Sequence, residues 1–107
     1  MDNTNQTTDA DIINLFFDRD ENAITVSETK YGTYCRKISM NILNNISDTS
    51  EILNDTWLKA WNTIPPNTPN PLKPYFGLIT RTLSINRYQY NTAQKRNSHF
   101  DMVLSEV

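Results

Sequence analysis

The stretch DTSEILNDTWLKAW, residues 48–61, decides the fold. At ~100° per residue its Leu53, Trp57, Ala60 and Trp61, extended by Ile64, gather on one side of a helix, and Glu51, Asn54, Asp55, Leu58 and Asn62 gather on the other. The first group, with both tryptophans of the chain, is a core face. Asp48 followed three residues later by Glu51 has the form of a capping box with Asp in the Ser/Thr role, so a helix is expected from there to about Ile64. The outer face holds Leu58 among carboxylates and amides. That setting suits a protein-binding anchor with a polar rim, although a single exposed leucine is common on any surface.

Working outward toward the C-terminus, Pro65, Pro66, Pro69, Pro71 and Pro74 forbid continuation of that helix, because proline lacks the backbone donor and clashes with the preceding turn. An ordered, extended loop is expected, followed by a helix that starts near Pro71 to Tyr75 and runs to about Gln94. Its expected core stripe is Leu72, Tyr75, Phe76, Ile79, Leu83 and Tyr90. Its other face aligns Arg81, Ser84, Tyr88, Asn91 and Lys95, with Lys73 and Arg87 beside it. Residues 98–107, SHFDMVLSEV, turn acidic and read as an irregular linker or frayed end.

Toward the N-terminus, residues 21–43 carry Ile24, Tyr31, Tyr34, Cys35, Ile38 and Ile42 on one helical stripe, with Lys30, Arg36 and Lys37 outside it. Asn44, Asn45 and Ser47 supply the turn that follows. A short first helix places Ile12, Ile13, Phe16 and Phe17 behind Asp9 or Asp11 as cap, and residues 1–8 read as a frayed tail. The expected fold is therefore all-α: about four helices in a compact bundle, forming a single domain over residues 9–97.

Charge is divided unevenly along this bundle. Residues 71–97 contain Lys73, Arg81, Arg87, Lys95 and Arg96 and no Asp or Glu, whereas residues 1–70 hold five basic side chains against ten acidic ones. A net charge of −2 conceals this asymmetry, which points to a polyanion at one end and another partner elsewhere. Lys and Arg neutralise phosphates, and Tyr, Asn and Ser on the same face can stack on or hydrogen-bond unpaired bases. Single-stranded nucleic acid suits that mixture; an ordinary solvated face is the bland alternative. Tyr88 is the stacking candidate, and Tyr90 points toward the core.

Catalysis is not expected. With Gly32 and Gly77 the only glycines there is no Gly-rich phosphate loop, Cys35 has no second cysteine, and His99 has no neighbouring nucleophile. The same inventory offers no zinc set or internal disulfide, so no cofactor or metal is expected. Asp48, Glu51 and Asp55 could hold a hard cation, but carboxylates near a helix start also favour its dipole. The polar, acidic N-terminus is unlike a signal peptide, and no apolar run approaches the roughly 18 residues of a membrane span. A cytoplasmic protein without a membrane partner is expected.

Three segments in this order resemble domain 2 of a bacterial RNA polymerase sigma factor of the extracytoplasmic-function type. They are YGTYCRKISMNIL (residues 31–43), DTSEILNDTWLKAW (48–61) and LITRTLSINRYQYNTAQKR (78–96). The resemblance implies a transcription initiation factor whose second segment docks on the clamp coiled coil of the polymerase's largest subunit, through Glu51, Asn54, Asp55, Leu58 and Asn62. It further implies that the loop and basic helix melt the promoter minus 10 element and hold its non-template strand. For that role it assigns Pro66, Asn67 and Asn70 of the loop and Arg81, Thr82, Ser84, Asn86, Arg87 and Tyr88, and the basic face adds Lys73, Asn91, Lys95 and Arg96 as expected DNA contacts. Capturing an extruded base offsets an unstacking cost of a few kcal/mol. Thr82 stands where the family commonly has Asn, Thr49, Ser50 and Glu51 replace the usual Ala-Glu-Asp, and no minus 35 reading domain follows Asn97. Two alternatives accompany this reading: a helical protein-interaction module, degenerate or held by an anti-sigma partner, and a general single-strand-binding domain.

Overall fold

The computed structural model describes residues 7–105. The expected tail residues 1–6 and the last two positions lie outside them. Four α-helices follow in order: α1 (Asp9–Phe17), α2 (Asn22–Leu43), α3 (Ile46–Thr63) and α4 (Leu72–Ser105). The central trio α2, α3 and α4 pack mutually, and α1 closes one end against α2. The all-α expectation holds.

Each helix begins and ends for a local reason. Thr8, not Asp9 or Asp11, caps α1: its side chain accepts from the Asp11 N–H at 3.1 Å and its own N–H donates to the Asp11 carboxylate, a reciprocal box. At the far end of α2, Asn44 adopts φ 49° and ψ 41°, a left-handed stop that asparagine tolerates. Asn45 then caps α3, its Oδ1 accepting from the Asp48 N–H at 2.8 Å. So α3 starts at Ile46, and Asp48 is inside the first turn, not the cap. Arg19, itself at φ 55°, closes the other end of α3 by donating to the carbonyls of Trp61 (3.0 Å) and Ile64 (3.1 Å) while its guanidinium stacks 3.7 Å above the Trp61 ring.

The centre of the core is aromatic. Phe76 of α4 meets Trp57 of α3 edge-on at 5.3 Å and Tyr31 of α2 at 5.6 Å, with Ile12 and Phe16 of α1 buried beside them. Such pairs contribute about 0.5–1.5 kcal/mol each beyond the area they bury. Around these aromatics the seam is built of small side chains: Ala23, Ser27, Cys35 and Ser39 on α2, Thr49, Thr56 and Ala60 on α3, and Gly77, Thr80 and Ser84 on α4 are all buried. Small residues let the backbones approach closely. Their hydroxyls pair across the seam, Ser84 donating to Ser39 at 2.9 Å and Thr56 standing 3.2 Å from Thr80.

Asp9 ties three helices together. Its carboxylate accepts from the Tyr31 hydroxyl, from Lys30 at 3.0 Å and from the Leu72 N–H at 2.9 Å, so an α1 residue secures α2 and caps the start of α4. Of the four apolar residues expected in the first helix, Ile12, Ile13 and Phe16 are buried and Phe17 is exposed. The largest departure is α4 itself, which runs past Gln94 through Ser105, so that residues 98–105 are helical and not irregular. Every described side chain from Gln94 onward is exposed, because α4 overshoots its partners.

Candidate protein and nucleic-acid interfaces

The inward face of α3 is Thr49, Ile52, Leu53, Thr56, Trp57 and Ala60, with Ile64 buried just beyond its end and Trp61 half-buried under Arg19. That leaves Glu51, Asn54, Asp55, Leu58 and Asn62 outside, all exposed. Leu58 keeps 57% of its surface accessible. An aliphatic side chain so exposed, between a carboxylate and amides, has the form that an interface anchor with a polar rim would take.

The loop from α3 to α4 is held at its start, where Arg19 donates to the Ile64 carbonyl and the Asn67 N–H donates to the Thr63 carbonyl at 2.9 Å. The Tyr75 hydroxyl donates to Thr63 at 2.6 Å and accepts from the Asn67 amide at 3.1 Å. Pro66, Asn67 and Asn70 are exposed there, and Lys73 at the start of α4 lies over the Tyr34 ring at 4.8 Å. Along α4, Arg81, Thr82, Asn86, Tyr88, Lys95 and Arg96 are exposed. Two sequence assignments are corrected. Ser84 is fully buried and bonded to Ser39, so it is a packing residue with no access to a ligand. Tyr90, expected in the core, is 60% exposed, because at that level the side of α4 turned toward α3 is the one carrying Arg87 and Asn91.

Two further members of the basic face are held from within. Arg87 donates to Asp48 at 2.9 Å and to Glu51 at 3.1 Å, and the Asn91 amide donates to the other Asp48 oxygen at 2.9 Å. Hydrogen bonding to Glu51, with the charges of Glu51 and Asp48, raises the Arg87 guanidinium above its ordinary value against the opposing effect of burial. Asp48 is nevertheless the stronger partner energetically, being closer and only 20% exposed where Glu51 is 57% exposed and screened by solvent. Glu51 of the outer α3 face and Arg87 of the α4 face thus share one network.

That network floors a cleft that the sequence reading does not assign. Leu43, Asn44 and Asn45 of the α2–α3 turn face Tyr88, Asn91, Thr92 and Lys95 of α4 across about 730 Å³, with Asp48 at its base. The signal available in the sequence was the Asn44-Asn45 pair, which reads only as a turn. Among the described residues no cluster of three or more His, Cys, Asp or Glu could hold a metal ion, and no helix is long and apolar enough to cross a membrane. Cys35 is buried, and burial pushes its thiol up against the lowering effect of a hydrogen bond with Thr80. The chain matches no family of known proteins, no curated protein and no solved structure.

Proposed function

We propose that this chain is a transcription initiation factor domain of the sigma region 2 kind, binding core RNA polymerase through the outer face of α3 and the melted promoter minus 10 element through the proline loop and α4. It would act in the cytoplasm, without a cofactor and without catalysis. The observation that carries the proposal is the adjacency of two unlike exposed faces: an acidic and amide face around Leu58 on α3, and a face on α4 whose residues 72–97 hold no carboxylate. The exposed Pro66, Asn67 and Asn70 join them. The three sequence segments that resemble the sigma domain supply the identity of the partners.

Binding of the purified chain to core RNA polymerase, beside Leu58→Glu, tests this directly. Tight binding that the variant loses, with circular dichroism unchanged, supports both the reading and its interface. A folded wild-type chain that does not bind polymerase refutes it.

One observation favours a second reading, a helical protein-interaction module that binds no promoter, alone or with an anti-sigma partner. Arg87 and Asn91 are already occupied by Asp48 and Glu51, and Ser84 is buried, which removes three of the assigned DNA contacts from the surface or engages them internally. Salt separates the two: phosphate contacts predict affinity for single-stranded DNA that falls steeply with salt, and an apolar interface does not.

A further inference from the structure

We infer that the cleft between the α2–α3 turn and the second half of α4 seats one unpaired base of a single-stranded DNA, stacked on Tyr88, read at its edge by Asn44 and Asn45, and anchored through its phosphate by Lys95. The inference rests on the proposed reading of α4 as a nucleic-acid surface and adds a second point of strand capture, remote from the proline loop. From Leu72 at that loop to Tyr88 the helix rises about 24 Å.

The chemistry of the lining selects the ligand. The cleft volume of about 730 Å³ lies within the ~300–1,000 Å³ range of small-ligand sites. Tyr88 is 54% exposed and offers a ring face, which any base can stack upon. Asn45 uses its Oδ1 as the cap of α3, so its amide nitrogen is the donor that remains. Asn91 uses its amide nitrogen on Asp48, so its carbonyl oxygen is the acceptor that remains. Asn44 adds a complete amide, donor and acceptor together, on a turn where its own backbone is left-handed. Paired donors and acceptors of this kind match the edges of unpaired bases.

The one carboxylate in the cleft does not repel a phosphate as a free charge would. Both Asp48 oxygens are engaged, one by the Arg87 guanidinium and one by Asn91. Lys95 has no ion-pair partner among the described residues and stands at the rim as the phosphate contact. The same lining disfavours other occupants. Leu43 is its only aliphatic member, too little for an apolar peptide anchor, and a single carboxylate that is already bonded twice is a poor cation site.

The test uses the whole chain and a fluorescently labelled single-stranded deoxyoligonucleotide, read by anisotropy at low salt. The cleft variants are Tyr88→Leu, Lys95→Gln, Asn45→Ser, which retains a helix cap, and Asn44→Gly, which retains the positive φ. Lys73→Gln and Arg81→Gln serve as phosphate-contact variants outside the cleft. Tyr88→Leu is expected to weaken binding by about 5- to 150-fold, the worth of one stacked base, and dAMP alone is expected to shift the side-chain amide resonances of Asn44 and Asn45. If Lys73→Gln and Arg81→Gln weaken binding while every cleft variant binds as wild type, the cleft is not a base site and the α4 reading stands. If the folded wild-type chain binds no single-stranded DNA, both fall together.

Discussion

Arg87 of α4 holds Asp48, the third residue of α3, with its Nη1 2.9 Å from the carboxylate, and reaches Glu51 one turn later at 3.1 Å. The bidentate grip fixes the start of α3 against the middle of α4. It also consumes a guanidinium that the sequence reading assigns to DNA.

Because the network is partly exposed, its contribution to stability is about 1 kcal/mol, not the larger value of a fully buried pair. Arg87→Gln is expected to lower the urea midpoint by a corresponding amount, and Arg87→Glu by more, since it places three carboxylates together. Asp48→Asn should leave Arg87→Gln with little further effect, a coupling that a double-mutant cycle measures. Full additivity of the two changes would show that the pair is not energetically joined.

Asp9 gives the fold an acid-sensitive joint. Burial pushes its carboxyl up, but hydrogen bonds from Tyr31, the Leu72 N–H and Lys30, with the Lys30 charge, outweigh this and hold it below its ordinary value. A depressed folded-state pKa contributes stability that is present above the unfolded value of about 3.9 and is lost as pH falls through the folded value. Lys30 has the opposite sense: its raised pKa gives stability that is lost only in strong alkali. Asp9→Asn is therefore expected to cost about 1–3 kcal/mol at neutral pH and to flatten the loss of stability below about pH 4. Denaturant titrations at pH 7 and pH 3 measure both, and an unchanged difference between the two pH values would exclude Asp9 as the titrating group.

Large apolar residues made much of this fold legible. Ile12, Phe16, Leu53, Trp57, Leu72 and Phe76 recur at helical spacing, and all are buried as expected. Ser84 reads as a surface residue because the α2–α3–α4 seam is built largely from Ser, Thr, Ala, Cys and Gly, which a hydropathy pattern does not tell from surface residues. Tyr90 is exposed for a different reason: at that level the inward side of α4 is the one carrying Arg87 and Asn91, which face α3, and Tyr90 lies off it. Nor does local pattern reveal that Asp48 pairs across to Arg87, since a carboxylate in a first turn already has a local explanation in the helix dipole. The acidic composition of residues 98–107 reads as an end to α4, yet residues 95–105 contain no Gly or Pro to stop a helix.

Two buried hydroxyls, Ser27 Oγ and Thr49 Oγ1, have no hydrogen-bond partner among the described residues. An unpaired buried polar group carries a desolvation cost of about 1–3 kcal/mol. Thr49→Val keeps the shape of the side chain and removes the hydroxyl, so it is expected to raise stability by up to about 1 kcal/mol, as is Ser27→Ala. A fall in thermal midpoint for both would show that the hydroxyls are satisfied in solution.

At Gly77, α4 lies close against the Tyr34 side chain of α2. A Cβ built there would lie 2.7 Å from the Tyr34 hydroxyl oxygen, 3.1 Å from Cε2 and 3.3 Å from Cζ. In an open helix, Gly→Ala gains about 1 kcal/mol from propensity; here the gain is opposed by overpacking, which typically costs about 1–3 kcal/mol. Tyr34 is half-buried with Lys73 over its ring, so swinging the ring away also forfeits that contact. Gly77→Ala is therefore expected to destabilise the chain by about 1 kcal/mol. Removing the oxygen by Tyr34→Phe abolishes the 2.7 Å contact and leaves the 3.1 Å one, a distance that a small ring rotation relieves. In that background Gly77→Ala should be close to neutral. Urea midpoints of the four proteins decide the point: a stabilising Gly77→Ala in the presence of Tyr34 would mean that the ring yields without cost and that the glycine is not required for helix approach.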